Sequence, residues 1–433
     1  MKFYSLNKQS PSVDFKEATI RGQAPDKGLY FPERIPQVEQ NLINEIEKIP
    51  DQEIALEIIR PYVGTTIPED VLYDIIKETI NFPIPLVKVN EDIYSLELFH
   101  GPTLAFKDIG AKFMSRCLGF FSKERKEKLV VLVATSGDTG GAVANGFYGV
   151  AGVEVVILYP SGKVSAVQEK QLTSPGRNIH ALEIKGSFDD CQQLVKQAFA
   201  DKELNQKLFL TSANSINVAR WLPQQFYYFF AWKQWGNKEN PPVISVPSGN
   251  FGNICAGLLA HASGLPVQHF IAACNANDTV PEFLQTGNYK PKKAIATLSN
   301  AMDVGEPGNF IRVMEIFHQH IGDLKKVMSS TSISDAETIQ TIKKVNEQQE
   351  YLLDPHGAVG FLALQRYLNK NPGQKGIFLE TAHPVKFADT VESFINRKID
   401  LPPAIQDLLT KKNLSVTMDV SYSDLKDFLN ELK

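Results

Sequence analysis

Residues Pro241 to Ala262 read PPVISVPSGNFGNICAGLLAHA, and this one stretch holds a complete structural unit. PPVIS is a short apolar run of strand type, VPSGNFGN is a glycine-containing turn, and ICAGLLAHA has the composition of a buried helix. Gly249 and Gly252 let the backbone approach a ligand closely, and successive N–H groups at the helix start can form an anion nest. Phosphate is the natural guest of such a loop. Without a guest, the same residues are a tight turn with an Asn cap.

The same order recurs on both sides. LVVLVAT (Leu129 to Thr135) leads into a glycine-rich turn and the small-residue helix candidate AVANGFYGV. VEVVILYP, NIHALEIKG and LFLTS are further strand candidates, with KVSAVQEKQL and SFDDCQQLVKQAFA as helices among them and Ser187 placed to cap the latter. VARWLPQQFYYFFAW reads as one aromatic helix. HFIAACNA and GIFLETA are later strands, each followed by a helix. Continuous apolar strands separated by helices predict parallel sheets covered on both faces. The fold class is therefore α/β, with two open, twisted, doubly wound, mainly parallel sheet lobes. Residues 1–85 form a mixed N-terminal cap region, where DQEIALEIIRPYV and PEDVLYDIIKETI have helical spacing and Pro68 suits a first turn. Residues 86–125 and 213–433 are assigned to a large lobe and residues 126–212 to a small one.

Composition narrows the function classes. The chain has 433 residues, 43% hydrophobic and 22% charged, with a formal net charge of −4 and no block of like charge. That balance offers no electrostatic footprint for nucleic acid or an anionic membrane. No apolar run approaches the roughly 18 residues of a membrane span. The start, MKFYSLNKQSPSVDFKEA, lacks the apolar core of a secretory signal and is too acidic for a transit peptide. Cys117, Cys191, Cys255 and Cys274 are scattered without a CxxC pair, so neither a disulfide framework nor a zinc site is expected. The cytoplasm is the expected compartment.

In a doubly wound fold, ligands bind beyond the carboxyl ends of the strands. Four loops are placed there. VPSGNFGN is the phosphate candidate; it is neither a Walker A loop nor GxGxxG, which argues against nucleoside triphosphates and dinucleotides. ATSGDTGGA (Ala134 to Ala142) offers Ser136, Thr139 and backbone N–H groups for a carboxylate, with Asp138 aimed into the same cleft. NSINVARWL (Asn214 to Leu222) by itself is a helix cap followed by one exposed arginine. Beside an anion it makes a second site, because Asn217 and Arg220 share a helical face and Ser215 lies next to them. GIFLETAHPVKF (Gly376 to Phe387) puts Thr381 at a strand end; His383 beside it is a capping or surface residue. His318 and His320 in HQH diverge on a helix, and no metal site is expected there.

FHGPTLAFKD (Phe99 to Asp108) completes the set. LAFKDIGAKFM has helical spacing, which puts Lys107 near a helix N-terminus, where the dipole disfavours an ammonium ion. Burial lowers its pKa further, and an unprotonated amine is what a Schiff base requires. Lysine, phosphate nest, carboxylate loop and neutral hydroxyl are together the parts of a pyridoxal phosphate site.

FHGPTLAFKD, ATSGDTGGA, ILYPSGKVSAVQEKQLTS, GSFDDCQQLVKQAF, SANSINVARW, VPSGNFGNICAG, CNANDTVPEFLQTG, TLSNAMDV and ETAHPVKF occur in the order found in threonine synthases. From about residue 80 to 390 the chain resembles that family, in its longer bacterial and fungal form. The resemblance implies a tryptophan synthase β-like fold, fold type II of pyridoxal phosphate enzymes. It implies pyridoxal 5'-phosphate as cofactor, with Lys107 as the Schiff-base lysine and Gly249, Asn250, Phe251, Gly252 and Asn253 around the phosphate. Thr381 would meet the pyridine nitrogen. Asp138 falls where the ring hydroxyl is approached, a position where related enzymes often have Asn. The implied reaction turns O-phospho-L-homoserine and water into L-threonine and phosphate. Ser215, Asn217 and Arg220, with Thr103, are then expected at the substrate phosphate, and the loop from Ser136 to Thr139 at the substrate carboxylate. A monomer or homodimer is expected, with no nucleic-acid or membrane partner.

Overall fold

The computed structural model describes residues 1–123 and 129–432, so the lobe boundary expected at residue 125 lies outside the described residues. Strand Leu129–Ala134 is an interior strand of a five-stranded, wholly parallel sheet. The sheet order is Val416–Met418, Ile179–Ile184, Val153–Pro160, Leu129–Ala134, Phe209–Thr211. Val130 to Val133 are fully buried on alternating faces, which is why LVVLVA is apolar throughout.

The second sheet has six strands, in the order Met328–Ser332, His269–Cys274, Val243–Pro247, Gly376–Glu380, Ile93–Glu97, Leu86–Lys88. Every pairing in it is parallel except that of the edge strand Leu86–Lys88 with Ile93–Glu97. The N-terminal region contributes a three-stranded antiparallel sheet, Val13–Asp14, Lys2–Ser5 and Tyr30–Pro32. Helices Asp51–Val63 and Glu69–Thr79 follow it, on the segments whose apolar spacing predicts them. Phe3, Phe15 and Tyr30 from this region bury in the same core as Trp221 and Phe226. Among the described residues no helix is long and apolar enough to cross a membrane.

Four local expectations need correction. VARWLPQQFYYFFAW is not one helix: Val218–Trp221 gives way to a 3-10 turn at Leu222–Gln224 before Gln225–Gln234 resumes. Pro223, without an N–H, cannot continue an α-helical ladder. The helix expected from Ala142 starts earlier, at Asp138, so the glycine-rich turn is itself the first helical turn. His318 and His320 follow the end of helix Phe310–Ile316 and are not on a helix. Finally, residues 213–433 do not all join the larger sheet. Val416–Met418 pairs with Ile179–Ile184, and helix Tyr422–Glu431 buries Leu425 and Leu429 against Cys191 and Leu194. The apolar face of that last helix finds its partner on the five-stranded sheet.

Candidate active site

The carboxyl ends of both sheets open on one cleft of about 360 Å³, lined by residues of every loop named above. That volume lies in the usual range for a small-molecule site. Lys107, Ser136, Asp138, Thr139, Ser215, Arg220, Gly249, Asn250, Phe251, Gly252, Asn253 and Thr381 all reach its wall.

Lys107 is the first residue of helix Lys107–Ser122, with its side chain 16% exposed. Its loop is stitched to the strand end beside it: Phe106 N–H donates to Thr381 O at 2.9 Å, and His383 N–H to Leu104 O at 3.1 Å. Leu104 is held at φ 56°, left-handed backbone that a leucine rarely adopts. Burial pushes the Lys107 ammonium down; Lys386 and Arg220 add to that, and the Asp138 carboxylate opposes it.

Asp138 opens helix Asp138–Phe147, where the dipole favours an acid. Its Oδ2 lies 3.8 Å from Lys107 Nζ. Its Oδ1 accepts from Gln168 Nε2 at 2.9 Å and pairs with Lys386 Nζ at 2.7 Å. Burial alone would raise this carboxyl, yet Lys386 and Lys107 hold it well below the usual carboxylate range. Thr135 Oγ1 takes the N–H groups of Gly137 and Gly140 at 3.0 and 2.8 Å. As first-turn groups, the N–H groups of Asp138 and Thr139 have no partner within their own helix.

The loop after Val243–Pro247 enters helix Gly252–Ala262 through Phe251, at φ 61°. A side chain at Gly249 would put its Cβ 2.5 Å from Met302 Cα, so only glycine lets the two loops meet. Asn250 Nδ2 donates to Ser215 Oγ at 2.7 Å, and Asn309 Nδ2 donates to the same oxygen at 3.2 Å. Arg220 is 3% exposed; one of its terminal nitrogens donates to Ala213 O, and burial pushes its guanidinium down to about 10. A Cβ at Gly110 would fall 2.6 Å from Arg220 O, so the helix of Lys107 and that of Arg220 pack backbone to backbone.

Two expected residues are not brought to the cleft. Thr103 is 2% exposed and sits behind Lys107, where its hydroxyl and N–H both donate to Asp108. Asn217 is fully buried: it caps its helix by accepting from Ala219 N–H at 2.9 Å and donates to Thr19 O at 2.8 Å. His383 is a cap, accepting from Val385 N–H at 3.1 Å, and burial pushes it down to about 4.

Residues 77–379 match the family described as "Pyridoxal-phosphate dependent enzyme", residues 2–80 match "Threonine synthase N terminus", and residues 357–429 match "Threonine synthase, C-terminal". The threonine synthase of Escherichia coli K12 is 44% identical over 430 residues, with 99% of each chain covered. The chain belongs to the threonine synthase family. That of Saccharomyces cerevisiae is 37% identical over 95% of this chain and 93% of its own. The crystal structure of threonine synthase from Escherichia coli superposes with a TM-score of 0.92 at 43% identity, covering 100% of both chains. A PLP-bound threonine synthase from Brucella melitensis superposes with a TM-score of 0.94 at 34% identity, covering 99% of this chain and 98% of that one. Maize serine racemase, with a TM-score of 0.53 at 15% identity over 72% of this chain and 93% of its own, shares the fold alone.

The threonine synthase family is pyridoxal phosphate dependent, and the cleft fits that cofactor. Asn253 Nδ2, in the glycine loop that suits the cofactor's phosphate, is a buried donor with no partner among the described residues. Arg220 Nε is a second such donor, left for another anion. Both are on the cleft wall, and both would be costly to leave unmet. Several wall residues carry no local sequence signal. His356 accepts from Ala301 N–H at Nε2 (3.2 Å), so Nδ1 carries its proton toward Asp354 Oδ1 at 2.5 Å. Asp354 N–H donates to Glu380 Oε1 at 2.7 Å, and burial beside Asp354 pushes the Glu380 carboxyl well up. This chain of contacts runs from the end of strand Gly376–Glu380 in the large sheet to the loop at Ala301 and Met302 that packs on Gly249. Lys386 and Gln168 are hidden in the same way, behind Asp138.

Proposed function

We propose that the protein converts O-phospho-L-homoserine and water into L-threonine and phosphate, with pyridoxal 5'-phosphate held in the cleft between the two sheets. The observation that carries this is the meeting of Lys107, the glycine loop at 249–253 and Arg220 on one wall: one amine and two separate anion sites. Lys107 Nζ would hold the cofactor covalently, the N–H groups and Asn253 amide of the 249–253 loop its phosphate, and Thr381 its pyridine nitrogen. Bound there, the ring supplies an electron sink for charge developing at the substrate's Cα.

The chain's own residues do the rest. Ser215 and Arg220 receive the substrate phosphate, and the helix start at Ser136 to Thr139 receives the carboxylate. Lys107, freed by the incoming substrate amine and with its ammonium form disfavoured by burial, takes the proton from Cα and then one from Cβ. Phosphate leaves Cγ with the C–O electron pair, toward Arg220. Lys107 returns one proton at Cγ. Water then adds at Cβ, keeping one proton as the hydroxyl and giving the other to the released phosphate, and Lys107 returns its second proton at Cα. A hydroxyl at Thr381, in place of a carboxylate, would leave the pyridine nitrogen without an acid partner and so temper the sink. On this reading the protein works in the cytoplasm on a small-molecule substrate, as a monomer or homodimer. The test is an assay of phosphate release from phosphohomoserine with threonine identified as product. Absence of threonine while cofactor is bound through Lys107 would overturn it.

A further inference from the structure

Lys386 is fully buried, in the short helical turn Pro384–Phe387, and it does not line the cleft. A buried ammonium needs a specific partner. It has two: Asp138 Oδ1 at 2.7 Å and Thr103 O at 2.8 Å. Gln168 Nε2, 2.9 Å from Asp138 Oδ1, fixes that oxygen from another side. Asp138 therefore spends one oxygen on two donors behind the wall, and presents the other to Lys107 at 3.8 Å, beyond hydrogen-bonding distance.

We propose that Lys386 is a positioning residue that takes up the charge of Asp138, so that Lys107 meets a compensated carboxylate and not a counter-ion of its own. Asp138 can then remain an acid beside an electron-rich ligand without repelling it and without locking Lys107 as an ammonium ion. Burial disfavours the ammonium form of Lys107, and Lys386 and Arg220 add to that while Asp138 opposes it. The inference rests on the reading of Lys107 as the cofactor lysine for its catalytic meaning, but the charge relation is a property of the chain alone.

The groups facing Lys107 are Asp138 on helix 138–147, Lys386 on the 384–387 turn and Arg220 on helix 218–221. Glu306 and His356 share the cleft wall, Asp108 follows on the same helix, and Tyr227 donates its hydroxyl to Phe106 O. The test is competitive labelling of the full-length, cofactor-freed protein with acetic anhydride across a pH range, with Lys107 acetylation read by peptide mass spectrometry. K386M is expected to raise the Lys107 titration midpoint by about one pH unit or more, since Asp138 is then left to Lys107 alone. D138N is expected to lower it, because Lys386 then stands unopposed. The double variant K386M/D138N is expected to return it to within about half a unit of the parent. An unmoved or lowered midpoint in K386M overturns the proposal. Should K386M fail to fold by circular dichroism, an unmoved or raised midpoint in D138N overturns it instead. Borohydride failing to fix cofactor on Lys107 would strike the functional reading and leave this charge relation intact; an unmoved midpoint does the reverse.

Discussion

Asn250 Nδ2 donates to Ser215 Oγ at 2.7 Å, which ties the glycine loop after one strand of the large sheet to the segment that follows the edge strand of the small one. Asn309 Nδ2 reaches the same oxygen, at 3.2 Å, and also donates to Asn250 O at 3.1 Å. The proposed cofactor-phosphate and substrate-phosphate sites thus share a wall.

The first prediction follows from that wall. Ser215→Ala removes the acceptor of two amide donors, a loss of about 1–3 kcal/mol. Both the KM for phosphohomoserine and the dissociation constant for pyridoxal phosphate should rise, each about tenfold. Steady-state kinetics and cofactor titration by absorbance read the two separately. A change in one with none in the other would show that the sites do not share Ser215.

Arg220 makes a sharper claim, because its Nε is a buried donor without a partner among the described residues. A phosphate there would gain a charge-assisted hydrogen bond. Arg220→Ala should therefore raise the KM for phosphohomoserine by about 10- to 150-fold, equivalent to about 1.5–3 kcal/mol. Cofactor absorbance should change little. Kinetics with phosphohomoserine check it, and unaltered turnover would remove Arg220 from the substrate site.

How much of this was legible follows from where each contact is made. Strands buried on both faces announce themselves as unbroken apolar runs, so LVVLVA and VEVVILYP mark the centre of their sheet. Loops at strand ends carry their chemistry in consecutive residues, so the glycine loops could be read directly. Val416–Met418 is short, largely exposed and at a sheet edge, with no apolar pattern to find. Thr103 is expected at the substrate phosphate on the resemblance alone; the hydroxyl's contact with Asp108, in the same quoted stretch, is one that only the structure shows. Lys386 sits in HPVKF with nothing local to mark it. Its carboxylate partner is on the other sheet's helix, and only the packing of strand ends brings them together.

Asp108 predicts a pH dependence of stability. It is 4% exposed, and burial pushes its carboxyl up to about 6 against the opposing hydrogen bonds from Thr103. In the unfolded chain an aspartate titrates near pH 3.9, so between the two values the folded state binds the extra proton. Stability from this group is therefore full below about pH 4 and declines as pH rises through about 6. Asp108→Asn removes the titration while keeping an acceptor for Thr103 N–H and a donor for its hydroxyl. Urea unfolding should show the stability difference moving in the variant's favour by about 1–3 kcal/mol between about pH 4 and pH 7. A difference independent of pH would show that Asp108 is not titrating in that window.

Arg312 links the N-terminal sheet to the site from below, and it is fully buried. Its guanidinium donates to Tyr30 O at 2.9 Å, Ile216 O at 2.7 Å and Asn309 Oδ1 at 2.8 Å, and lies 4.4 Å over the Trp221 ring. Burial pushes it down to about 10, still far enough up to stay charged at neutral pH. Truncation leaves a cavity and unpaired carbonyls in the core, so Arg312→Ala should cost about 3–5 kcal/mol of stability. Its effect should also reach the cofactor, because Asn309 is the residue that holds Asn250 O and Ser215 Oγ. In thermal melts with and without pyridoxal phosphate, the variant should melt lower and gain less from the cofactor than the parent does, since the ligand's contribution scales with its affinity. Arg312→Ala with a full cofactor-dependent gain would confine Arg312 to the core and separate the N-terminal sheet from the phosphate loop.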